Sequence, residues 1–158
     1  MNKYKVEIKW AIIFFVVSLL WMVFERAVGL HDEHIDKHMI YTNFFAIPAI
    51  LVFVMALLDK RKTSYGGKMT YKQGLMAGLI ITAIVTILSP VSQYITSEWI
   101  TPDYFKNVTN YSVETGFMTR EAALDYFNMK NYIIQSLIGA AVMGVVTSAI
   151  VSIFTRRS

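Results

Sequence analysis

The sequence predicts an all-α integral membrane protein: a bundle of four spanning helices, with a short and partly helical outer segment between the third and fourth. Three observations predict it. Of 158 residues, 55% are apolar and only 16% charged. The apolar residues gather in four runs, each near the ~20 residues that cross ~30 Å of hydrocarbon. The charges gather between the runs, and their sign bias reverses from one gap to the next. A soluble domain of this length would show amphipathic periodicity instead of continuous apolar stretches. The whole chain, 1–158, is read as one membrane domain.

The first span is placed at 10–28, WAIIFFVVSLLWMVFERAV. It is too long for the apolar part of a signal peptide and lacks a small-x-small cleavage pattern after it, so it is expected to stay as an anchor. The second, 40–58, contains Pro48, which removes a backbone N–H and is expected to bend the helix. Ser64-Tyr65-Gly66-Gly67 reads as a turn, and Thr70 with Gln73 as a capping box opening the third span, 71–96. Pro90 is expected to bend that span too. The fourth span is 132–154. In the outer segment, 97–131, Thr101-Pro102-Asp103 looks like a cap, a first-turn proline and a first-turn acid for a short helix. Gly116 would stop it, and Thr119 would cap a second helix beginning at Arg120.

Charge sets the expected orientation. The N-terminal tail, the 59–72 region and the C-terminal arginines together carry ten basic and two acidic residues; the remaining segments carry five and nine. Basic residues beside span ends stay cytoplasmic. Both termini are therefore expected in the cytoplasm of a bacterial inner membrane, in a multi-pass protein with an even number of spans. The net charge of +4 sits beside the spans, so it points to lipid headgroups and not to nucleic acid. With no cysteine, disulfides and thiol chemistry are excluded.

Two stripes of small residues predict close helix packing. Gly74, Gly78, Thr82 and Thr86 recur every four residues in the third span; Ser136, Ala140, Gly144 and Ser148 do so in the fourth. The contact they make lies either within one chain or between copies, so a homo-oligomer or a membrane protein partner is an open reading. The spans hold almost no ionisable residue at mid-depth, where ion carriers generally place one. No serine or threonine has a credible set of catalytic partners, and no glycine-rich phosphate cradle is present. The chain reads as a non-enzyme needing no cofactor, with zinc as the one candidate ion.

That candidate comes from the first outer loop, Gly29 to His38. It holds all three histidines, His31, His34 and His38. If the stretch were helical, His31 and His38 would share a face, with His34 about 60° away. Neutral imidazoles bind zinc, and Glu25 at the end of the first span is a candidate further ligand. The same imidazoles would suit a pH sensor, since imidazole titrates near neutrality. The pattern is not that of a metalloprotease, because Ile35 stands where that motif needs its glutamate.

Several runs resemble a bacterial membrane family known as domain of unknown function 4199, common in Bacteroidetes. They are Glu7-Ile8-Lys9-Trp10, Gly29-Leu30-His31-Asp32, Asn43-Phe44-Phe45-Ala46-Ile47-Pro48, Lys68-Met69-Thr70-Tyr71-Lys72-Gln73-Gly74 and Thr101-Pro102-Asp103-Tyr104-Phe105. The resemblance covers nearly the whole chain. It implies the four-span architecture and an inner-membrane location, and it brings no functional residues with it. The expected role is that of an accessory or scaffold subunit of a membrane complex. The alternatives are a small transporter or channel subunit, and an envelope metal-binding or pH-sensing protein.

Overall fold

The computed structural model describes residues 3–157. In chain order the helices are α1 Lys5–Ala27, α2 Ile35–Tyr41, α3 Ala46–Tyr65, α4 Tyr71–Ile95, α5 Tyr104–Glu114, α6 Arg120–Tyr126 and α7 Met129–Thr155. A 3-10 turn, Thr42–Phe45, joins α2 to α3, and a π-helical turn, Thr96–Ile100, extends α4. Four continuous helical stretches are long and apolar enough to cross a membrane: Lys5–Ala27, Ile35–Tyr65, Tyr71–Ile100 and Met129–Thr155. The protein is an all-α, multi-pass membrane protein. We call the end bearing the α3–α4 turn basal, and the end bearing α2, α5 and α6 the cap.

The helices run past the apolar windows because polar partners wait at their ends. α1 starts at Lys5, and its first turns carry charge that is matched at once. Glu7 pairs with Lys60 at 2.8 Å, and both are buried. Asp59 accepts from the Lys9 ammonium and, at 2.7 Å, from the Trp10 indole N–H. α3 continues through Ser64 and Tyr65, so the turn shrinks to Gly66 and Gly67, both at positive φ. Only glycine adopts that conformation without strain. Thr70 and Gln73 form the full capping box that opens α4.

Thr101 does not cap a helix. α4 overruns as the π turn, whose last bond runs from the Thr101 N–H to the Thr96 carbonyl at 2.8 Å. α5 therefore starts only at Tyr104, behind an Asp103 that makes no side-chain cap bond. Gly116, with φ +71°, follows the end of α5. Thr119 caps α6 by accepting from the Ala122 N–H at 3.3 Å. Pro48 lies in the first turn of α3, directly behind the 3-10 turn, and Pro90 lies inside α4.

α4 and α7 make the broadest helix–helix contact in the molecule. Gly74 faces Ser152, Gly78 faces Ser148 and Gly144 faces Thr82. Each step of four along α4 thus meets a step of four back along α7, and the two stripes meet within one chain. A methyl group at Gly78 would lie 2.6 Å from the Ser148 hydroxyl, and one at Gly144 would lie 2.4 Å from the Thr82 methyl. The Thr82 hydroxyl donates to the Gly78 carbonyl at 2.9 Å and lies 3.3 Å from that of Ser148. Farther up, the stripes part. The Thr86 hydroxyl is buried without a partner among the described residues, the Ser136 hydroxyl turns back to the Ile133 carbonyl, and Ala140 lines a cavity.

The apolar core lies in the basal half. Trp10, Ala11, Phe53, Ala56, Leu57, Ile81 and Val151 form one cluster there. An antiparallel bridge closes the basal end: the Met69 N–H donates to the Arg157 carbonyl at 2.9 Å, and the Arg157 N–H to that of Met69 at 2.8 Å.

Candidate metal centre

The cap is built around the last turn of α1. Glu25 is fully buried there, and the helix ends two residues later, at Ala27, in a Schellman motif. The Leu30 N–H reaches the Glu25 carbonyl at 3.0 Å and the Gly29 N–H reaches the Arg26 carbonyl at 3.0 Å. Gly29 sits at φ +77°, the left-handed position that this motif requires. The reversal folds Leu30 and His31 back over the end of α1, where both are buried. α2 then begins at Ile35 and presents His38 to the same place.

The outcome is a carboxylate facing two imidazoles. His31 Nε2 lies 3.0 Å and His38 Nε2 lies 3.4 Å from the same oxygen, Glu25 Oε2. One donor atom from each of the three residues can be chosen so that all lie within 4.8 Å of one another. The other carboxylate oxygen accepts from the Trp21 indole N–H at 2.5 Å, and the Thr42 side chain lies beside the carboxylate. His34 stays out of this group. It is exposed, at the start of α2, and only its backbone takes part, donating to the Gly29 carbonyl at 2.7 Å.

A wall of aromatic rings closes the cluster. Tyr104, from α5, has its ring centroid 5.4 Å from that of His31 and 5.2 Å from that of His38. Its hydroxyl lies 3.4 Å from His38 Nδ1 and 3.2 Å from the Tyr132 hydroxyl. Burial pushes the Tyr104 phenol well above its ordinary range, and the neighbouring Tyr132 adds to this. The group stays a neutral phenol, fit to partner an imidazole and unfit to serve as a phenolate ligand. The Asn107 amide donates to the His31 carbonyl at 3.0 Å, which fastens α5 to the turn.

The geometry suits a tetrahedral ion. Bonds of ~2.0–2.1 Å at the tetrahedral angle separate two ligand atoms by about 3.3 Å; the two carboxylate–imidazole separations bracket that value, and the three atoms lie within 4.8 Å of one another. Two imidazoles and a carboxylate are also a known zinc donor set that leaves a fourth position open. One feature departs from the usual pattern. A metal-bound imidazole normally donates its second N–H to a fixed partner. His38 has Tyr104 for this, but His31 Nδ1 is buried with no partner among the described residues.

Residues 9–157 match the model of a family described as protein of unknown function (DUF4199). The chain belongs to that family. No curated protein and no solved structure matches the chain. Membership in DUF4199 thus carries no assigned site, and the centre rests on its own geometry.

Sequence reasoning named Glu25, His31 and His38, and gave the two histidines a shared face only if their stretch were helical. The structure joins them across a turn, because the Gly29 reversal leaves the stretch before Ile35 non-helical. Trp21 and Thr42 were not singled out. Trp21 had a signal, lying four residues before Glu25 and hence on its face of α1. Tyr104 had none as a site residue.

Proposed function

We propose that this is a metal-binding membrane protein whose cap takes up a divalent transition ion, zinc by its donor set. The observation that carries the reading is the approach of two imidazole Nε2 atoms to one buried carboxylate oxygen at 3.0 and 3.4 Å. Glu25, His31 and His38 would hold the ion. Tyr104 would accept the Nδ1 proton of His38 and so fix the tautomer that frees Nε2 for the metal. The ion would supply a Lewis-acidic centre with an open position. Protons compete for the same imidazoles, so uptake weakens as pH falls.

The ion would tie α1, the Gly29 turn and α2 into one rigid cap. This supports the broader role of an accessory or scaffold subunit, whose fixed surface a partner or second copy reads. In this reading the cap faces away from the cytoplasm of a bacterial inner membrane, supported by the lysines and arginines at the basal end.

The test is metal analysis of protein purified in mild detergent and dialysed against zinc. One zinc per chain is expected, retained in His34→Ala and lost in the His31→Ala/His38→Ala double variant. A parent protein that takes up no metal would sink the reading.

A further inference from the structure

The cap half holds a cavity of about 420 Å³, lined by all four spanning segments. Its volume falls in the ~300–1,000 Å³ of ordinary ligand pockets. The position of its mouth follows from exposure. Among the lining residues, Asn43, Ala46, Ile50 and Met143 are the exposed ones. The first three flank or belong to the start of α3, and the fourth is on α7. The cavity therefore opens sideways between α3 and α7, into the zone that the spanning helices place in the bilayer. Gly139 lies on its wall, and a methyl group there would meet nothing within 4 Å.

The walls are largely apolar, with polar groups at both depths. Toward the cap Asn43, Gln93 and Ser136 stand beside Phe45; toward mid-membrane Phe53 and Val85 stand beside Thr82, whose hydroxyl is already bonded to the Gly78 carbonyl. Along α4 and its π turn the lining runs from Thr96 down to Thr82, about 21 Å at ~1.5 Å per residue. That is about half of a ~40–45 Å bilayer with its headgroup regions, the depth of one leaflet. Beyond the polar rim, the helical rods that frame the mouth carry Lys37 and Lys130, both exposed and without an ion-pair partner among the described residues.

We infer that the cavity holds one acyl chain of a phospholipid from the leaflet at the cap end, entering between α3 and α7, with its ester region at the polar rim and its phosphate toward Lys37 and Lys130. A largely apolar cavity with amide and hydroxyl groups at its cap end, one leaflet deep and opening on the bilayer, matches a lipid chain in polarity and length together. Another protein's helix would be too wide, since its diameter is ~10 Å or more with side chains. The site needs no metal, so this inference and the metal reading stand or fall separately.

The test uses the full chain in phospholipid vesicles doped with a phospholipid carrying a photoreactive diazirine on its acyl chain. Labelled positions are mapped by mass spectrometry. Labelling is expected on cavity-lining residues of α3 and α7, and to fall about tenfold there in Gly139→Phe, which fills the cavity from an open wall. Labelling of Ile138 and Val142, exposed on α7 outside the cavity, is expected to stay. Met143→Trp, at the exposed mouth, should act likewise should Gly139→Phe misfold. Equal labelling of lining and outward residues, unchanged in a folded variant, would mean annular lipid only and would overturn the inference.

Discussion

The basal and cap halves of this bundle treat buried polar groups in opposite ways. In the basal half the Glu7 carboxylate meets the Lys60 ammonium at 2.8 Å, and interlocked glycines and hydroxyls fill the space between α4 and α7. In the cap half the Glu25 carboxylate meets two imidazoles, His31 has an orphaned nitrogen, and the helices part around a cavity. In the first arrangement a permanent cation meets one oxygen of Glu7, whose Oε2 is buried with no partner among the described residues. The second has room and donors for something more. Close packing is thus concentrated in one half, and open space and donor groups in the other, although the same four helices build both.

Substitutions can break that division or sharpen it. Glu7→Ala should have the largest effect, lowering stability by about 4 kcal/mol because it strands the Lys60 charge. Adding Lys60→Met should restore most of the loss, and thermal unfolding in detergent reads both. Gly144→Leu should cost about 3 kcal/mol through overpacking against Thr82. Zinc affinity, measured by competition with a chelating dye, should be unchanged in that variant; a parallel collapse of binding would mean the halves are one unit. Glu25→Gln should do the reverse, weakening zinc by more than about a hundredfold, beyond the loss typical of a ligand's supporting partner. The unfolding temperature of its metal-free form should hardly move. Tyr104→Phe should weaken zinc about tenfold by removing the partner of His38. His34→Ala should shift neither binding nor stability beyond about 0.5 kcal/mol, as befits an exposed side chain.

The basal half was the more legible in sequence. Four apolar runs announce the spans, a Thr70–Gln73 pair announces the start of α4, and steps of four announce the glycine and hydroxyl stripes. Each is a local pattern, and local patterns survive in one dimension. The pairing of Gly78 with Ser148 is not local, so the stripes could be seen without their register. In the cap, Glu25 stood out as an acid at the end of an apolar run and the histidines stood out by crowding. Their meeting depends on the positive φ of one glycine, which the sequence permits without dictating. Tyr104 reaches the centre from a helix whose start was misplaced, because nothing in Thr96–Ile100 distinguishes a π turn from the end of an ordinary helix. The cavity left the faintest mark of all, the small residues Ala46, Ala49, Gly139 and Ala140 along its walls.

The stripe of α4 also bears on how the protein is made. Gly74, Gly78 and Thr82 have counterparts in α7, which follows α4 in the chain after α5 and α6. α4 must therefore enter the bilayer with its ridge bare to lipid and wait there while α5 and α6 are synthesised. A chain halted at that point would carry three of the four spans. The arrival of α7 fills the ridge and brings Arg157 to Met69. The α4–α7 seam and the basal bridge then close together, on the synthesis of one helix.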